Sequence, residues 1–197
     1  MTKWKELKQA IIQKSPELGQ YLNSGVDPEK LVELESRLGV ALPMEYKEIY
    51  LQNDGEVWES PGFFFGLHFL TLESVISELD RWEETVNLGY NDLTDFCESK
   101  PLGHIQDIYA NKKWLPLMDD AGGNFIGLDF DPGPKGISGQ IINFGRDEDV
   151  KYVFSSSIGD FLDSLKSLVF DKETQLSDYD GSLDYKGLHF IDALKRN

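Results

Sequence analysis

The stretch from Trp114 to Phe144 constrains the fold more than any other part of the chain. It contains three short runs rich in β-branched and aromatic residues, at 114–118, 124–130 and 137–144. Two glycine-rich segments separate these runs and combine turn-forming residues with residues that tolerate a positive φ angle. Strands that follow one another across such short loops most simply pair antiparallel. The pattern therefore predicts a three-stranded β-meander.

Apolar residues at helical spacing flank this meander on both sides. The predicted helices are residues 2–14, 16–25, 28–38, 43–53, 72–86 and 157–169, with a short docked helix near 188–194. Alternating and aromatic runs add predicted strands at 63–70 and 151–154. Residues 87–113 show no steady periodicity, and we expect them to be mostly irregular.

Length and composition suit a single domain. The chain has 197 residues, of which 40% are hydrophobic and 12% aromatic, and this is enough for a proper core. We expect residues 1–197 to form one domain. No run of about 18 apolar residues could cross a bilayer, and the single cysteine, Cys97, cannot form an internal disulfide. These features favour a cytoplasmic protein that does not enter a membrane.

The charge balance narrows the choice of partners. The chain carries 35 acidic and 19 basic residues, giving a formal charge of −16 and a pI near 4.5. Such a surface repels nucleic-acid phosphates and anionic lipids, because binding to them needs clustered lysine and arginine. The charge serves solubility alone, or it attracts a basic protein partner.

Motifs for catalysis or cofactor binding are missing from the sequence. The glycine-rich turns lack the spacing of phosphate-binding loops. Asp129, Asp131 and Gly133 imitate the start of a calcium loop, but Gln140 stands where the last ligand should be glutamate. His68, His104 and His189 are far apart and show no zinc-binding spacing. We predict no catalytic residue, no metal and no cofactor, and expect His68 to be the histidine that is buried.

Acidic residues are concentrated between positions 119 and 149. If the turns of the meander lie on one rim, these carboxylates form a negative patch that steers a basic partner toward it. The predicted partner-binding residues are Asp119, Asp120, Asp129, Asp131, Asp147, Glu148 and Asp149. The alternative is that turns are acidic because they face water. Trp114 fits an interface anchor or, at the head of a strand, the core.

An ordered set of short motifs gives the chain a family resemblance. The set comprises Gly39, Leu42-Pro43, Tyr46, Asn53-Asp54-Gly55, Trp114-Leu115-Pro116, Gly122-Gly123-Asn124, Asp129, Asp131-Pro132-Gly133, Gly139-Gln140-Ile141 and the helix after Ser157. In this order they resemble a Smi/Knr-type domain of the SUKH superfamily. The similarity covers residues 27–169. The N-terminal helices at 2–25 lie outside this core, as does the C-terminal extension at 170–197.

The resemblance implies an α+β fold, with helices packed on a mainly antiparallel sheet, and no established catalytic residues. Bacterial members of the family are similar to immunity proteins that occlude a toxin, often a nuclease, whereas the yeast relative is a regulator of cell-wall synthesis. We therefore expect an immunity protein that neutralises a basic toxin. The alternative is a regulatory scaffold in cell-envelope or signalling pathways. The sequence leaves the toxin, the oligomeric state and the roles of 87–113 and 170–197 open.

Overall fold

The computed structural model describes residues 1–93 and 96–196. The helices are α1 (Lys3–Lys14), α2 (Pro28–Leu38), α3 (Met44–Gln52), α4 (Leu72–Asn87), α5 (Ile158–Val169) and α6 (Phe190–Lys195). The strands are β1 (His68–Phe69), β2 (Glu98–Lys100), β3 (Trp114–Asp119), β4 (Asn124–Asp129), β5 (Gln140–Gly145), β6 (Val150–Ser155), β7 (Thr174–Leu176) and β8 (Leu183–Tyr185). Short 3₁₀ helices cover Pro16–Tyr21 and Tyr90–Leu93.

The main sheet has the strand order β1-β3-β4-β5-β6-β2. From β3 to β6, each strand pairs antiparallel with the next, so the predicted meander and the α+β fold are confirmed. The third strand begins at Gln140 and not at residue 137. The reason is the Gln140 side chain, whose Oε1 accepts a hydrogen bond from the Ile137 N–H at 3.1 Å and closes a turn before the strand.

The strand predicted at 63–70 is wrong over most of its length, because only His68 and Phe69 are extended. Positive φ angles at Gly62, Phe65 and Gly66 reverse the chain direction here. A Cβ at position 62 would lie 2.4 Å from the carbonyl carbon of Gly66, which only a glycine avoids. The aromatic run is therefore a tight turn that directs its rings into the core.

Helix boundaries follow the capping residues. Thr2, Asp27, Thr71 and Ser157 each accept a hydrogen bond from a backbone N–H in the first helical turn. Gly39 ends α2 in the left-handed conformation, with φ 67°. The predicted helices at 2–14, 28–38, 43–53, 72–86 and 157–169 are confirmed. The segment after Pro16 is a 3₁₀ helix that ends earlier than predicted, at Tyr21.

Trp114 belongs to the core, which decides between its two interpretations. Its side chain is fully buried, and its ring centroid lies 5.5 Å from that of Phe144. On the helical side, Trp4 of α1 packs against the rings of Phe63 and Phe69 at 5.7 and 5.6 Å. The helices thus cover the sheet through one continuous apolar cluster.

Residues 87–113 and the C-terminal extension both contact the main sheet. Residues 87–113 are mostly irregular as predicted, except that 94 and 95 lie outside the described residues. The region also contributes β2, which pairs parallel with β6. In the C-terminal extension, the predicted docked helix is confirmed as α6, and Phe190 stacks on Phe65 at 4.5 Å. The β7–β8 hairpin was not predicted, because its strands are only three residues long.

None of the helices in the described residues has the length and apolar character that crossing a bilayer requires.

Candidate functional site

The acidic residues of the meander do not share one rim. Successive antiparallel hairpins place their turns at alternate ends of the sheet. The β3–β4 and β5–β6 turns therefore lie at one end with Asp119, Asp120, Asp147, Glu148 and Asp149, as the pairing of Asn124 with Gly145 shows. The β4–β5 turn carries Asp129 and Asp131 to the opposite end. The single-rim expectation is wrong for these two aspartates.

Two of the seven carboxylates are buried in the fold. Asp129 has no exposed surface and accepts hydrogen bonds from the Asp131 N–H at 3.0 Å and from Gln140 Nε2 at 2.9 Å. Burial raises the pKa of Asp129 to about 6. Glu148 is 6% exposed and pairs with Lys195 Nζ at 2.8 Å. Both carboxylates are thus engaged within the fold, and neither lies on the exposed surface that the sequence assigned to a partner.

The chain itself supplies basic groups to the acidic end. Besides the Lys195–Glu148 pair, Nε2 of His189 lies 3.7 Å from an oxygen of Asp120. Asp120 also organises its own turn, accepting hydrogen bonds from the N–H groups of Gly122 at 2.7 Å and Asn124 at 3.0 Å. The C-terminal extension thus covers part of the surface that the sequence assigned to a partner. Asp147 and Asp149 remain exposed there.

A cleft of about 700 Å³ opens beside this end of the sheet. Its walls come from the segment before β1, from α4 and from the β3–β4 and β5–β6 turns. We call it the Trp58 cleft; its charged and aromatic lining consists of Glu56, Trp58, His68, Phe69, Glu78, Arg81, Trp82, Asp119, Phe125 and Arg146. Of the predicted site residues, only Asp119 lines it.

Glu56 holds one wall of the cleft in place. The residue is 6% exposed, and its carboxylate accepts hydrogen bonds from the Phe63 N–H at 3.0 Å, the Phe69 N–H at 3.1 Å and the Ser60 hydroxyl at 2.8 Å. Nδ1 of His68 lies 3.1 Å from the same carboxylate. A buried carboxylate is stable only when donors surround it, and here they fix the aromatic turn and the start of β1.

His68 links this wall to the mouth of the cleft. Its hydrogen bond to Glu56 raises the pKa of the imidazole above its ordinary value, against the opposing effect of burial. Trp58 stacks on the imidazole, with ring centroids 5.3 Å apart and an interplanar angle of 9°. The Trp58 residue is nevertheless 74% exposed. His68 is half-buried, so the expectation of a buried histidine holds only in part.

Two further carboxylates face the cleft from opposite walls. Asp119 lies directly across from His68 in the β1–β3 pairing, which puts the two side chains next to each other on one face. Glu78 projects from α4 and pairs with Arg81. Burial raises the pKa of both Asp119 and Glu78. Both therefore lose hydration that their present partners replace only in part.

Few features of the sequence indicate this site. Trp58 stands in a polar segment that also contains proline and glycine, and nothing in that segment distinguishes an exposed tryptophan from a buried one. No local pattern marks Glu56, because its donors come from residues 60–69 through the tight turn. Within residues 1–93 and 96–196, no group of three or more histidine, cysteine, aspartate or glutamate side chains is placed to hold a metal ion.

Comparison with known sequences identifies similar proteins. The profile of the SMI1 / KNR4 family (SUKH-1) matches residues 25–164. The chain is 31% identical over 197 residues to KNR4/SMI1 homolog 2 of Debaryomyces hansenii, an alignment that covers 81% of this chain and 33% of that protein. It is 27% identical over 192 residues to the cell wall assembly regulator SMI1 of Saccharomyces cerevisiae, covering 81% and 38%. The chain thus spans about a third of the length of these relatives.

A third relative points the same way. The chain is 36% identical over 141 residues to the cell wall biosynthesis/cell cycle regulator smi1 of Schizosaccharomyces pombe, covering 66% of this chain and 28% of that protein. These relatives are named as fungal regulators of the cell wall, and none of them is named as an immunity protein. The expectation of a toxin-neutralising immunity protein is therefore wrong, and the findings favour the regulatory alternative.

Proposed function

The chain belongs to the SMI1/KNR4 family (SUKH-1), and from that premise we propose that it is a non-catalytic protein-binding module of a regulator of cell-wall synthesis. The support is that relatives over this region are named as regulators of cell-wall assembly or glucan synthesis. The matched region covers about a third of these relatives, and we propose that it acts by binding other proteins.

The observation that carries this proposal is the exposed Trp58 at the mouth of the cleft. A tryptophan that is 74% exposed yet held in one orientation by stacking on His68 is ready to be buried by a partner. Tryptophan is enriched among the residues that dominate binding energy at protein interfaces. Its rigid placement lowers the entropy lost on binding.

A non-catalytic role fits the way two ionisable groups of the cleft, Glu56 and His68, are used. Glu56 directs its oxygens to four groups of its own chain, and His68 is tied to Glu56. General acid or base catalysis needs a group that is free to exchange a proton with a substrate. We further propose that the partner is basic, steered by the exposed Asp147 and Asp149, and that the encounter takes place in the cytoplasm, where a single unpaired cysteine is usual.

The test is the Trp58→Ala variant. Quantitative mass spectrometry compares the proteins that co-purify from the native host with the wild type, with Trp58→Ala and with Leu102→Ala. The partner identified in this way is then purified and titrated against each variant. Leu102 is also 74% exposed but lies away from the cleft lining, so it is the matched control. We expect Trp58→Ala to weaken binding by about 30-fold or more, as for an interface hot spot, with unchanged thermal stability. Equal binding by both variants would show that the cleft is not part of the interface.

A further inference from the structure

The charged side chains of the Trp58 cleft lie at different depths. The Glu78 side chain is 15% exposed and Asp119 is half-buried, whereas the Arg81 side chain is 69% exposed and Arg146 is exposed. The arginines therefore stand at the rim and the carboxylates further inside. A side chain that enters the cleft beyond the rim meets negative charge.

Both inner carboxylates have spare acceptor capacity. Among the residues that the structure describes, Asp119 accepts one long hydrogen bond, from the Ala121 N–H at 3.4 Å. Glu78 has Arg81 as its hydrogen-bond partner, on one oxygen. A carboxylate can accept about four hydrogen bonds, and Glu56 in the same cleft shows how fully the chain satisfies a carboxylate that serves the fold. Asp119 and Glu78 leave room for a donor from outside.

The cleft is also lined by Trp82, whose indole N–H has no hydrogen-bond partner among the described residues. Trp82 is 7% exposed and lines the cleft, and its indole N–H makes no hydrogen bond within the described part of the chain. Buried indole N–H groups usually find an acceptor. This N–H is itself buried, so the Trp82 signal reports on the cleft without a direct contact to a ligand.

Trp58 adds an aromatic face next to these acceptors. It stacks on His68, and His68 lies beside Asp119 in the sheet, so the three side chains form a continuous row. Because Trp58 is 74% exposed, its ring keeps open surface on the cleft side. An arginine side chain can lay its apolar stem along an aromatic residue while its planar guanidinium pairs with a carboxylate further inside.

We propose that the Trp58 cleft binds an arginine side chain of a partner protein, with the guanidinium paired to Asp119 and the apolar stem lying against Trp58. This inference rests on the proposed function and specifies the chemistry of the partner. Lysine fits less well, because its ammonium is more strongly hydrated and has no planar face. A phosphorylated segment fits poorly, because it would place negative charge beside Asp119 and Glu78.

The experiment uses the full chain and the indole N–H signals of Trp58 and Trp82 in NMR spectra. The probes are N-acetyl-arginine amide, N-acetyl-lysine amide, N-acetyl-citrulline amide, which is neutral but nearly isosteric with arginine, and N-acetyl-phosphoserine amide. We expect the arginine probe to shift both signals saturably at about millimolar concentration. The lysine probe should bind about tenfold more weakly, and citrulline should not saturate. Equal shifts with citrulline, or a preference for phosphoserine, would overturn the assignment.

Variants locate the binding. Asp119→Asn should weaken arginine binding by about tenfold or more, whereas Asp178→Asn, which makes the same charge change at an exposed position outside the cleft lining, should leave it unchanged. Should Asp119→Asn fail to fold, Trp58→Ala read at the Trp82 signal gives a second measurement of the same loss. Unaltered arginine binding in these folded variants would contradict the proposal.

The result can be separated from the test of the proposed function. If Trp58→Ala loses the co-purified partner but the arginine probe does not bind, the proposed arginine site is wrong, while the proposed protein-binding function is supported. If the arginine probe binds as expected while Trp58→Ala retains the partner, the cleft is an arginine site, but the proposal that Trp58 belongs to the interface with the partner is wrong.

Discussion

At the residue scale, His68 makes stability depend on pH around neutrality. Its pKa is raised above 6.5 by the hydrogen bond to Glu56, so protonated His68 stabilises the folded chain. This contribution is complete below pH 6.5 and is lost as the pH rises through the raised pKa. We expect the melting temperature to fall across that range, and His68→Phe, which keeps a ring for Trp58 to stack on, to remove that part of the fall.

Thermal denaturation at several pH values checks this expectation. His104→Gln is the control, because His104 also lies half-buried but has no ion-pair partner within residues 1–93 and 96–196. A pH profile of His68→Phe identical to that of the wild type would show that the Glu56–His68 pair does not contribute.

Asp129 acts in a lower pH range. Burial raises its pKa from 3.8 to about 6, so the folded chain favours the protonated form. The stability associated with this group is greatest below pH 3.8 and is lost as the pH rises to about 6. A pKa rise of this size corresponds to a change of about 3 kcal/mol in the free energy of unfolding.

The Asp129→Asn variant tests this contribution, because an asparagine cannot titrate. We expect its free energy of unfolding, measured with denaturant between about pH 4 and 6, to change less with pH than that of the wild type. Parallel curves would contradict the assignment, whatever the absolute loss of stability.

At the element scale, the pairing of β3 with β4 depends on Gly127. A Cβ at this position would lie 2.1 Å from the backbone oxygen of Leu115, so the strands must separate to admit any side chain. The register also shifts between Pro116 and Met118 opposite this glycine. We expect Gly127→Ala to destabilise the chain by about 3 kcal/mol or more, measured by urea denaturation. Gly39→Ala is the comparison, because a Cβ there meets no atom within 4 Å and the cost is backbone strain alone.

The same scale shows which features a sequence can predict. Thr71 and Ser157 cap their helices through neighbouring backbone groups, so the local sequence carries the signal. Antiparallel pairing places successive hairpin turns at alternate ends of the sheet. From this rule alone, the sequence could have predicted that Asp129 and Asp120 lie at opposite ends. By contrast, the approach of Gly127 to Leu115 and of Trp58 to His68 depends on how distant segments meet. No local pattern records such contacts.

At the scale of the whole molecule, the charge of −16 predicts how a partner approaches. Exposed charges change association rates more than dissociation rates, and salt screens them over about 10 Å at 0.1 M. We expect the association rate with the basic partner to fall as salt is raised. Asp147→Asn with Asp149→Asn, which removes exposed charge beside the cleft, should lower that rate by about tenfold at low salt with little change in dissociation rate or melting temperature.

The matched control for this prediction is Glu29→Gln with Glu33→Gln. It removes the same two charges from the exposed surface of α2, and neither position lines the Trp58 cleft. If only net charge mattered, both double variants would slow association equally, because each brings the chain to the same total. If the acidic end of the sheet guides the partner, the variant at 147 and 149 slows association more. The C-terminal extension already places His189 and Lys195 on this end, so we expect a basic partner to approach the carboxylates that the chain's own basic groups leave exposed.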